Sequence, residues 1–572
     1  MSYTDPNQEA QALRAIETPE LQPDNAAAPG GVETISDSEQ VVRSAGVVSV
    51  AVMISRVAGL IREMVFANLF GAGFDYDAYM LGFRIPNLSR DLFAEGALSS
   101  AFVPTFTDYL ATRSREDAAR LANLVATMLI IVVGALCAAG MIFAPQLVYF
   151  LAPGFEEVPG KAELAVQMTR IMFPFLLLVA LAAQAMGVLN ACNRFGVPAL
   201  SSFFFNIGSL VFGAIVGYWV GPYVGLAPIE GFAVGVVLGG ALQLGVQIPS
   251  LRSLDFHFRP IFDFTDPGLA RIVKLMVPAI IGNAAVQVNV MVNTNFASNI
   301  VDPVRGLDGS VSWLSYSFRF MHLPLGLFGV AMGAATLPAI ARSAAKGNMD
   351  GFRRTLSDSL GKVYLMTFPS ALGLILLGES IIGAVYQSGR FEAYDTHQTA
   401  VALSCFAVGL MGYAALRVLT PAFYALNDAR TPMLVSILSI AVNYAAAATL
   451  IDGFGMGHAA LALTTSVVAM FGFLILFLVI RSRIGGVHGR ELLQKYLRVT
   501  VASIVMGGAV WLLDRQLTAW WGVSRLARVG DLAITIPAAI AVYYWACHRV
   551  GLPEIDGMLK SFVNPVLRRM KS

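Results

Sequence analysis

Apolar residues in this chain come in long continuous runs separated by short polar breaks. A helix needs about 20 mostly apolar residues to cross about 30 Å of hydrocarbon, and runs of that length recur. They fall near residues 42–70, 77–110, 121–151, 163–190, 197–221 and 229–250. After the polar stretch Arg252–Asp266 they resume near 267–300, 309–343, 354–386, 396–426, 431–452 and 458–481, with a last pair near 496–514 and 531–550. The pattern predicts an all-α polytopic membrane protein with about fourteen transmembrane helices. A membrane β-barrel does not fit, because barrel strands alternate apolar and polar over about ten residues.

The runs divide the chain into a six-helix lobe over 41–251, a second over 252–482, a helix pair over 483–552 and a short tail over 553–572. Residues 1–40, rich in Glu, Asp, Pro, Asn and Ala without an apolar period, read as a disordered cytosolic tail. No basic segment precedes an apolar core there, so they are not a signal peptide. Composition agrees with a lipid-immersed chain: 56% of residues are hydrophobic and 13% charged, with mean hydropathy +0.67, against about a quarter charged in soluble domains. Cys137, Cys192, Cys405 and Cys547 lie far apart in apolar runs and read as small packing residues; no CxxC or His pairing suggests a metal or cofactor.

Cytoplasmic loops collect Lys and Arg, and here the even-numbered breaks do. Arg113, Arg115 and Arg120 follow span 2, Arg194 span 4, Arg252, Arg259, Arg271 and Lys274 span 6, and Arg342, Lys346, Arg353 and Arg354 span 8. Arg430 follows span 10, and Arg481, Arg483 and Arg490 span 12. Both termini are therefore expected in the cytoplasm. Arg515, Arg525 and Arg528 disagree, since they fall outside on this count. The lobes also echo one another: Arg84 and Pro104 in span 2 match Arg319 and Pro338 in span 8, each pair with a Leu-Phe between, as in transporters built from repeats.

Ionisable groups inside the spans carry the chemistry. Arg56 and Arg62 lie in span 1, Arg84, Arg90, Asp91 and Glu95 in span 2, and Arg319 and His322 in span 8. Five lipid-facing arginines would cost on the order of 12–18 kcal/mol on insertion scales, so they should face a wet cavity. Arg62 with Glu63, and Arg90 with Asp91, also suit pairing near helix ends. Pro86 is expected to kink span 2 and help successive turns converge. An Arg-lined cavity with few acids suits a ligand carrying two or more negative charges, because the guanidinium fork holds phosphate bidentately and keeps its proton.

The stretch Ser55–Pro104 closely resembles the signature of the MurJ (MviN) family, lipid II flippases of bacterial cell-wall synthesis within the MATE-like MOP superfamily. The matches are Ser55, Arg56, Gly59 and Arg62, then Phe70–Gly73, Asp77-Ala78, Pro86-Asn87 and Glu95–Ala97. Others follow at Ala152–Phe155, Leu189–Phe195, Val311–Trp313, Leu323–Ala331 and Asp428–Pro432. The resemblance implies two six-helix lobes around a cationic cavity, with a hydrophobic groove by the last two helices for a polyprenyl tail. It carries substrate-binding roles onto Arg56, Arg62, Asp77, Arg90, Glu95 and Arg319; Arg84 stands where relatives often have another base. His322 and Phe318 depart from relatives that place acids near the span-8 arginine, which leaves Arg319 without the family's carboxylate partner.

On this reading the arginines bind the lipid II diphosphate from the cytoplasmic side of a bacterial inner membrane, the lobes rock, and the head group is released outside. The membrane potential, worth about 2.3 kcal/mol per charge per 100 mV, helps an anion outward. A coupling ion is left open. No GxxxxGK[ST] loop suggests ATP use. Expected partners are lipid II, membrane lipids and other cell-wall synthesis proteins, not nucleic acid. The alternatives are a flippase for another polyprenyl-linked sugar, a drug exporter on the same fold, a membrane glycosyltransferase or a non-transporting scaffold. The enzyme reading is weakened by short external loops, in which Glu392, Asp395 and His397 read as a solvated cluster. Lys560–Lys571 could serve as a basic tail on the anionic leaflet.

Overall fold

A computed structural model describes residues 37–91 and 98–557, which are helical almost throughout. The first group of helices is α1 (Asp37–Phe70), α2 (Phe74–Arg90), α3 (Ser99–Thr112), α4 (Arg115–Ile142), α5 (Ala144–Leu151), α6 (Lys161–Met172), α7 (Pro174–Ala191), α8 (Gly196–Ile215) and α9 (Pro228–Gly245). The second is α10 (Pro267–Ser298), α11 (Ser310–Pro324), α12 (Ala331–Ala345), α13 (Met349–Tyr386), α14 (Ala393–Val408), α15 (Leu410–Ala425), α16 (Arg430–Ala448) and α17 (His458–Arg483), followed by α18 (Gly489–Trp521) and α19 (Arg525–Arg549). The polar breaks supply the helix starts. Ser114 Oγ accepts from Asp117 N at 3.1 Å, Asp266 Oδ1 from Gly268 N at 2.8 Å, Asn348 Oδ1 from Gly351 N at 2.9 Å and Ser524 Oγ from Ala527 N at 3.3 Å, each cap worth about 1 kcal/mol.

Among the described residues ten helical segments are long and apolar enough to span a membrane, and α14 with α15, bent by 40°, makes an eleventh. The expected runs 42–70, 77–110 and 267–300 account for the difference from fourteen. Run 77–110 is described as two shorter helices, α2 and α3, on either side of residues 92–97. The other two are diluted by polar groups: Arg56, Arg62 and Glu63 on α1, and Gln287, Asn289, Asn293 and Asn295 on α10. Pro86 does not break its helix, since α2 runs on to Arg90. The N-terminal tail up to residue 36, and the basic stretch Lys560–Lys571, lie outside the described residues.

Helices of the first group pack on one another, as do those of the second, and α18 and α19 lie against α13. The groups meet through α10, which touches α3, α4 and α5, and through α11, which touches α2. The tightest pair is α8 with α9. Gly231, Gly235 and Gly239 recur every fourth residue on α9, the small-xxx-small pattern that lets helix backbones approach in lipid. A Cβ on Gly235 would stand 2.5 Å from Ser209 O and 2.6 Å from Gly213 Cα.

The arginines that contradicted the loop-charge pattern are largely consumed by α13. Arg525 Nε donates to Ala384 O at 3.1 Å and Nη2 to Val385 O at 3.3 Å; Arg528 Nη1 donates to Glu379 O at 3.2 Å and Gln387 Oε1 at 2.8 Å. These are mostly carbonyls at the negative C-terminal end of a helix. Gly235→Leu is expected to separate α8 from α9, at a cost of about 1–3 kcal/mol, and to lower the thermal midpoint of the purified protein. Val211→Leu, on the exposed face of α8, should leave that midpoint unchanged.

Candidate functional site

Two polar constellations occupy the region between the helix groups. One is fully paired. Asp77, near the start of α2, is 0% exposed and accepts from Lys161 Nζ at 2.9 Å, Gly309 N at 2.8 Å, Ser312 N at 2.9 Å and Ser312 Oγ at 2.5 Å. The backbone donors belong to the first turn of α11 and the residue before it, where unsatisfied N–H groups and the helix dipole favour an anion. Lys161, the first residue of α6 and also 0% exposed, donates to Asp308 Oδ1 at 2.6 Å and Leu307 O at 3.0 Å and lies 4.3 Å from the Phe155 ring centroid.

Further ties surround this latch. Arg305 Nη2 donates to Glu392 Oε2 at 3.0 Å and Asp395 Oδ2 at 3.1 Å, Trp313 Nε1 donates to Asp395 Oδ1 at 3.1 Å, and Arg390 N to Asn68 O at 3.0 Å. Glu392 and His397 are exposed, as expected from sequence, but Asp395 between them is buried. Aromatic rings continue the seal: Tyr76 stacks on Tyr316 at 4.6 Å, and Tyr316 packs on Tyr386 at 4.7 Å.

The other constellation is cationic and under-paired. Arg319 of α11 forms an ion pair with Glu63 of α1, whose other oxygen accepts from Tyr386 Oη at 3.0 Å. Arg62 lies 5.5 Å from the Phe205 ring centroid, and its buried Nη1 has no hydrogen-bond partner among the described residues. Arg56 lies beside Gly326, where a Cβ would come 3.2 Å from its Nη2. His322 is within electrostatic reach of Arg56, Arg319 and Arg417, and Arg62 of Arg319. Arg56, Arg319 and Arg417 thus lie around His322 and Arg62 lies near Arg319, while the carboxylate that reaches this cluster among the described residues is Glu63, through Arg319. Such an excess of fork-shaped donors, one with a free buried nitrogen, can take a phosphate-bearing ligand.

The structure therefore brings Arg56, Arg62 and Arg319 together and places the other candidates elsewhere. Asp77 is enclosed in the latch. Arg84 Nη1 donates to Thr294 Oγ1 at 2.8 Å and Nη2 to Ser315 Oγ at 3.2 Å, joining α2 to α10 and α11. Arg90 pairs with Asp91 at 3.0 Å, the helix-end alternative considered from sequence, and Glu95 lies outside the described residues. Glu63 pairs with Arg319, not with Arg62, and so supplies the carboxylate that His322 and Phe318 do not. Sequence reading missed Lys161 and Arg417. The signal for Arg417 was present: a lone Arg within the apolar run 396–426. For Lys161 there was none, because its burial depends on how loops 152–160 and 300–309 fold together.

Lys161→Met should destabilise the protein strongly, by about 3–5 kcal/mol as for a broken buried pair. Lys161→Met combined with Asp77→Asn should lose less than the two single losses added, in a double-mutant cycle of denaturant midpoints. Additive losses would mean that the two groups do not interact.

Comparison with known proteins accords with this geometry. The family model described as "Lipid II flippase MurJ" matches residues 66–530. A Vibrio cholerae protein named "Probable lipid II flippase MurJ" is 32% identical over 524 residues, covering 89% of this chain and 96% of the relative. A Burkholderia cenocepacia protein named "Lipid II flippase MurJ" is 32% identical over 500 residues, covering 86% and 94%. The fold resembles that of a solved lipid II flippase MurJ in an inward closed conformation, with TM-score 0.71, 24% identity and coverage of 88% of this chain and 99% of the other. It also resembles an inward-facing multidrug resistance MATE family transporter of the MOP superfamily, with TM-score 0.55, 14% identity and coverage of 77% and 93%. With a family model matched over most of its length, and relatives of this identity aligned nearly end to end, the chain belongs to the lipid II flippase MurJ family.

Proposed function

We propose that this chain is a lipid II flippase of the bacterial inner membrane, and that the Arg56–Arg62–Arg319–Arg417 cluster is where it holds the diphosphate. The observation that carries this reading is the unpaired, buried Arg62 Nη1 beside an Arg319 that shares one carboxylate. Family membership supplies the substrate class, and the cluster supplies a reason for it. A diphosphate of charge about −2 placed among four guanidinium groups can displace Glu63 from Arg319, because a doubly charged ligand gains more from the cluster than a single carboxylate does.

The latch lies at the end of the bundle formed by residues 71–77, 152–161, 300–310 and 387–395, the breaks poor in free base. By the loop-charge rule this end faces outward, and the basic ends and both termini face the cytoplasm. Arg525 and Arg528 fit that orientation once their donors are occupied by α13. The conformation described is thus closed outside. Opening outward requires the Asp77 and Lys161 ties to part. Glu63, released from Arg319, loosens its bond to Tyr386, which packs on the Tyr316 ring between cluster and latch. The membrane potential favours outward movement of the anion.

A second feature supports a lipid-linked substrate over a small exported drug. Between α13, α15, α17 and α18 is a cavity of about 220 Å³ lined by Leu360, Val363, Tyr364, Met411, Met470 and Tyr496, among others. Its apolar lining beside the last helix pair suits an isoprenoid chain.

The test is rescue of a bacterium depleted of its own lipid II flippase, scored by growth and by lipid II reaching the outer leaflet. The parent is expected to rescue, and Arg56→Ala, Arg62→Ala and Arg319→Ala at equal membrane levels to fail. Failure of a well-expressed parent overturns the substrate; rescue by all three variants overturns the diphosphate site. Arg417→Ala should reduce externalisation, since it removes a cation that sequence reading had not counted.

A further inference from the structure

Apart from the cationic cluster and the latch, the described residues contain an acid pair in the last two helices, with Asp531 buried and Asp514 half-buried. Asp514 of α18 and Asp531 of α19 face one another within hydrogen-bonding reach. Asp531 is 2% exposed; its Oδ1 accepts from Thr535 Oγ1 at 2.8 Å, whereas its buried Oδ2 has no hydrogen-bond partner. Asp514 Oδ1 accepts from Ser380 Oγ of α13 at 2.9 Å. Two ionised carboxylates only accept hydrogen bonds, so the contact between them lacks a donor. A buried carboxylate oxygen without a donor, on a group beside another carboxylate, calls for a cation or a proton.

The neighbouring charged groups do not fill that gap. Arg528, on the same helix as Asp531, donates to Glu379 O and Gln387 Oε1, and its Nη2 lies 3.7 Å from Glu379 Oε1. Arg525 is bound to the carbonyls of Ala384 and Val385. Arg515 lies 5.3 Å from the Trp511 ring centroid. On the side of α13 and α14, Glu379 and His397 sit 3.8 Å apart and are both more than half exposed. Glu379 adds a further negative charge beside Asp514.

We propose that Asp514 and Asp531 form a proton-binding site, sharing one proton that bridges α18 to α19 while Ser380 ties the pair to α13. The proton comes from water and returns to it, and no other bond changes. With the proton bound, the pair carries one negative charge and a donor fills the contact. Without it, two adjacent carboxylates repel and the last helix pair loosens from α13. The site stands apart from the diphosphate cluster, and its test needs no transport.

The test uses the full chain in lipid nanodiscs in sodium-free buffer, as infrared difference spectra across a pH titration of the parent, Asp514→Asn, Asp531→Asn and the double variant. The parent should show the C=O stretch of a neutral carboxylic acid at the acid end of the titration, absent from the double variant, that disappears as pH rises. Each single variant should lose it, because the remaining carboxylate then ionises beside an amide donor. Thermal midpoints give the second reading. A proton held by the folded state stabilises it at low pH and is lost as pH rises, so the parent's midpoint should fall as pH rises through the pair's titration while the Asn variants stay level. A parent spectrum identical to that of the double variant overturns the proposal. So does removal of the band by sodium at fixed pH, which would make this a metal-cation site. If one single variant does not fold, the other and the parent's response to pH and sodium still decide.

Discussion

A carboxylate that water cannot reach must have its charge answered by the protein, and at Asp77 the answer draws on α6, α11 and the segment before α11. Lys161 comes from the first group of helices, and Gly309 and Ser312 come from the second. Removing either side would leave a buried charge, so the groups hold together at this point more firmly than apolar contact in lipid would hold them, because lipid supplies no hydrophobic drive between helices. The ties from Arg305 and Trp313 to Asp395, and the Tyr76–Tyr316 stack, form around that fixed point.

The cationic cluster follows the opposite rule. At the latch Lys161, Gly309 and Ser312 each donate to Asp77; at Arg62 one nitrogen has no partner among the described residues, and of the cluster's arginines it is Arg319 that pairs with Glu63. A protein that needed only stability would pair these charges or replace them with apolar side chains, which is often neutral or stabilising. The imbalance therefore points to a ligand that completes the set. A site that bound its own carboxylates fully would have nothing left for a phosphate.

Much of this was legible in the sequence, and the parts that were not share a cause. Helix runs, polar breaks and the in-span arginines follow from hydropathy and from the cost of charge in hydrocarbon, both local properties. Arg56, Arg62 and Arg319 could be picked out because each interrupts an apolar run. Which of them meet could not, because partners depend on tertiary packing: Glu63, adjacent to Arg62, pairs with Arg319 some 250 residues away. Asp77, given a cavity role by the resemblance, and Arg84, singled out as an arginine inside an apolar run, are both placed elsewhere: packing encloses one and bonds the other to Thr294 and Ser315. The fourteen-span count is not confirmed by hydropathy among the described residues, because α1 and α10 carry polar groups and run 77–110 includes residues 92–97, which lie outside them.

The arrangement also bears on how a ligand could move the latch. A ligand shifts a conformational equilibrium only by binding its two states unequally. The cluster gives that inequality a location: Glu63 occupies Arg319 in the closed form, so an anion that takes its place is bound at the expense of a contact specific to this state. Tyr386 Oη is bonded to the same carboxylate, and its ring packs on Tyr316, whose hydroxyl donates to Gly71 O at 3.2 Å within the loop between α1 and α2. Asp77 lies one turn into the helix that follows. Pairing at one constellation is thus connected to pairing at the other through two tyrosines, each with a hydrogen bond that can be kept or lost, and a packed aromatic contact tends to adopt discrete arrangements rather than yield gradually. If the proposed diphosphate displaces Glu63, the aromatic layer loses an anchor, so binding at the cationic constellation would weaken the latch instead of reinforcing it.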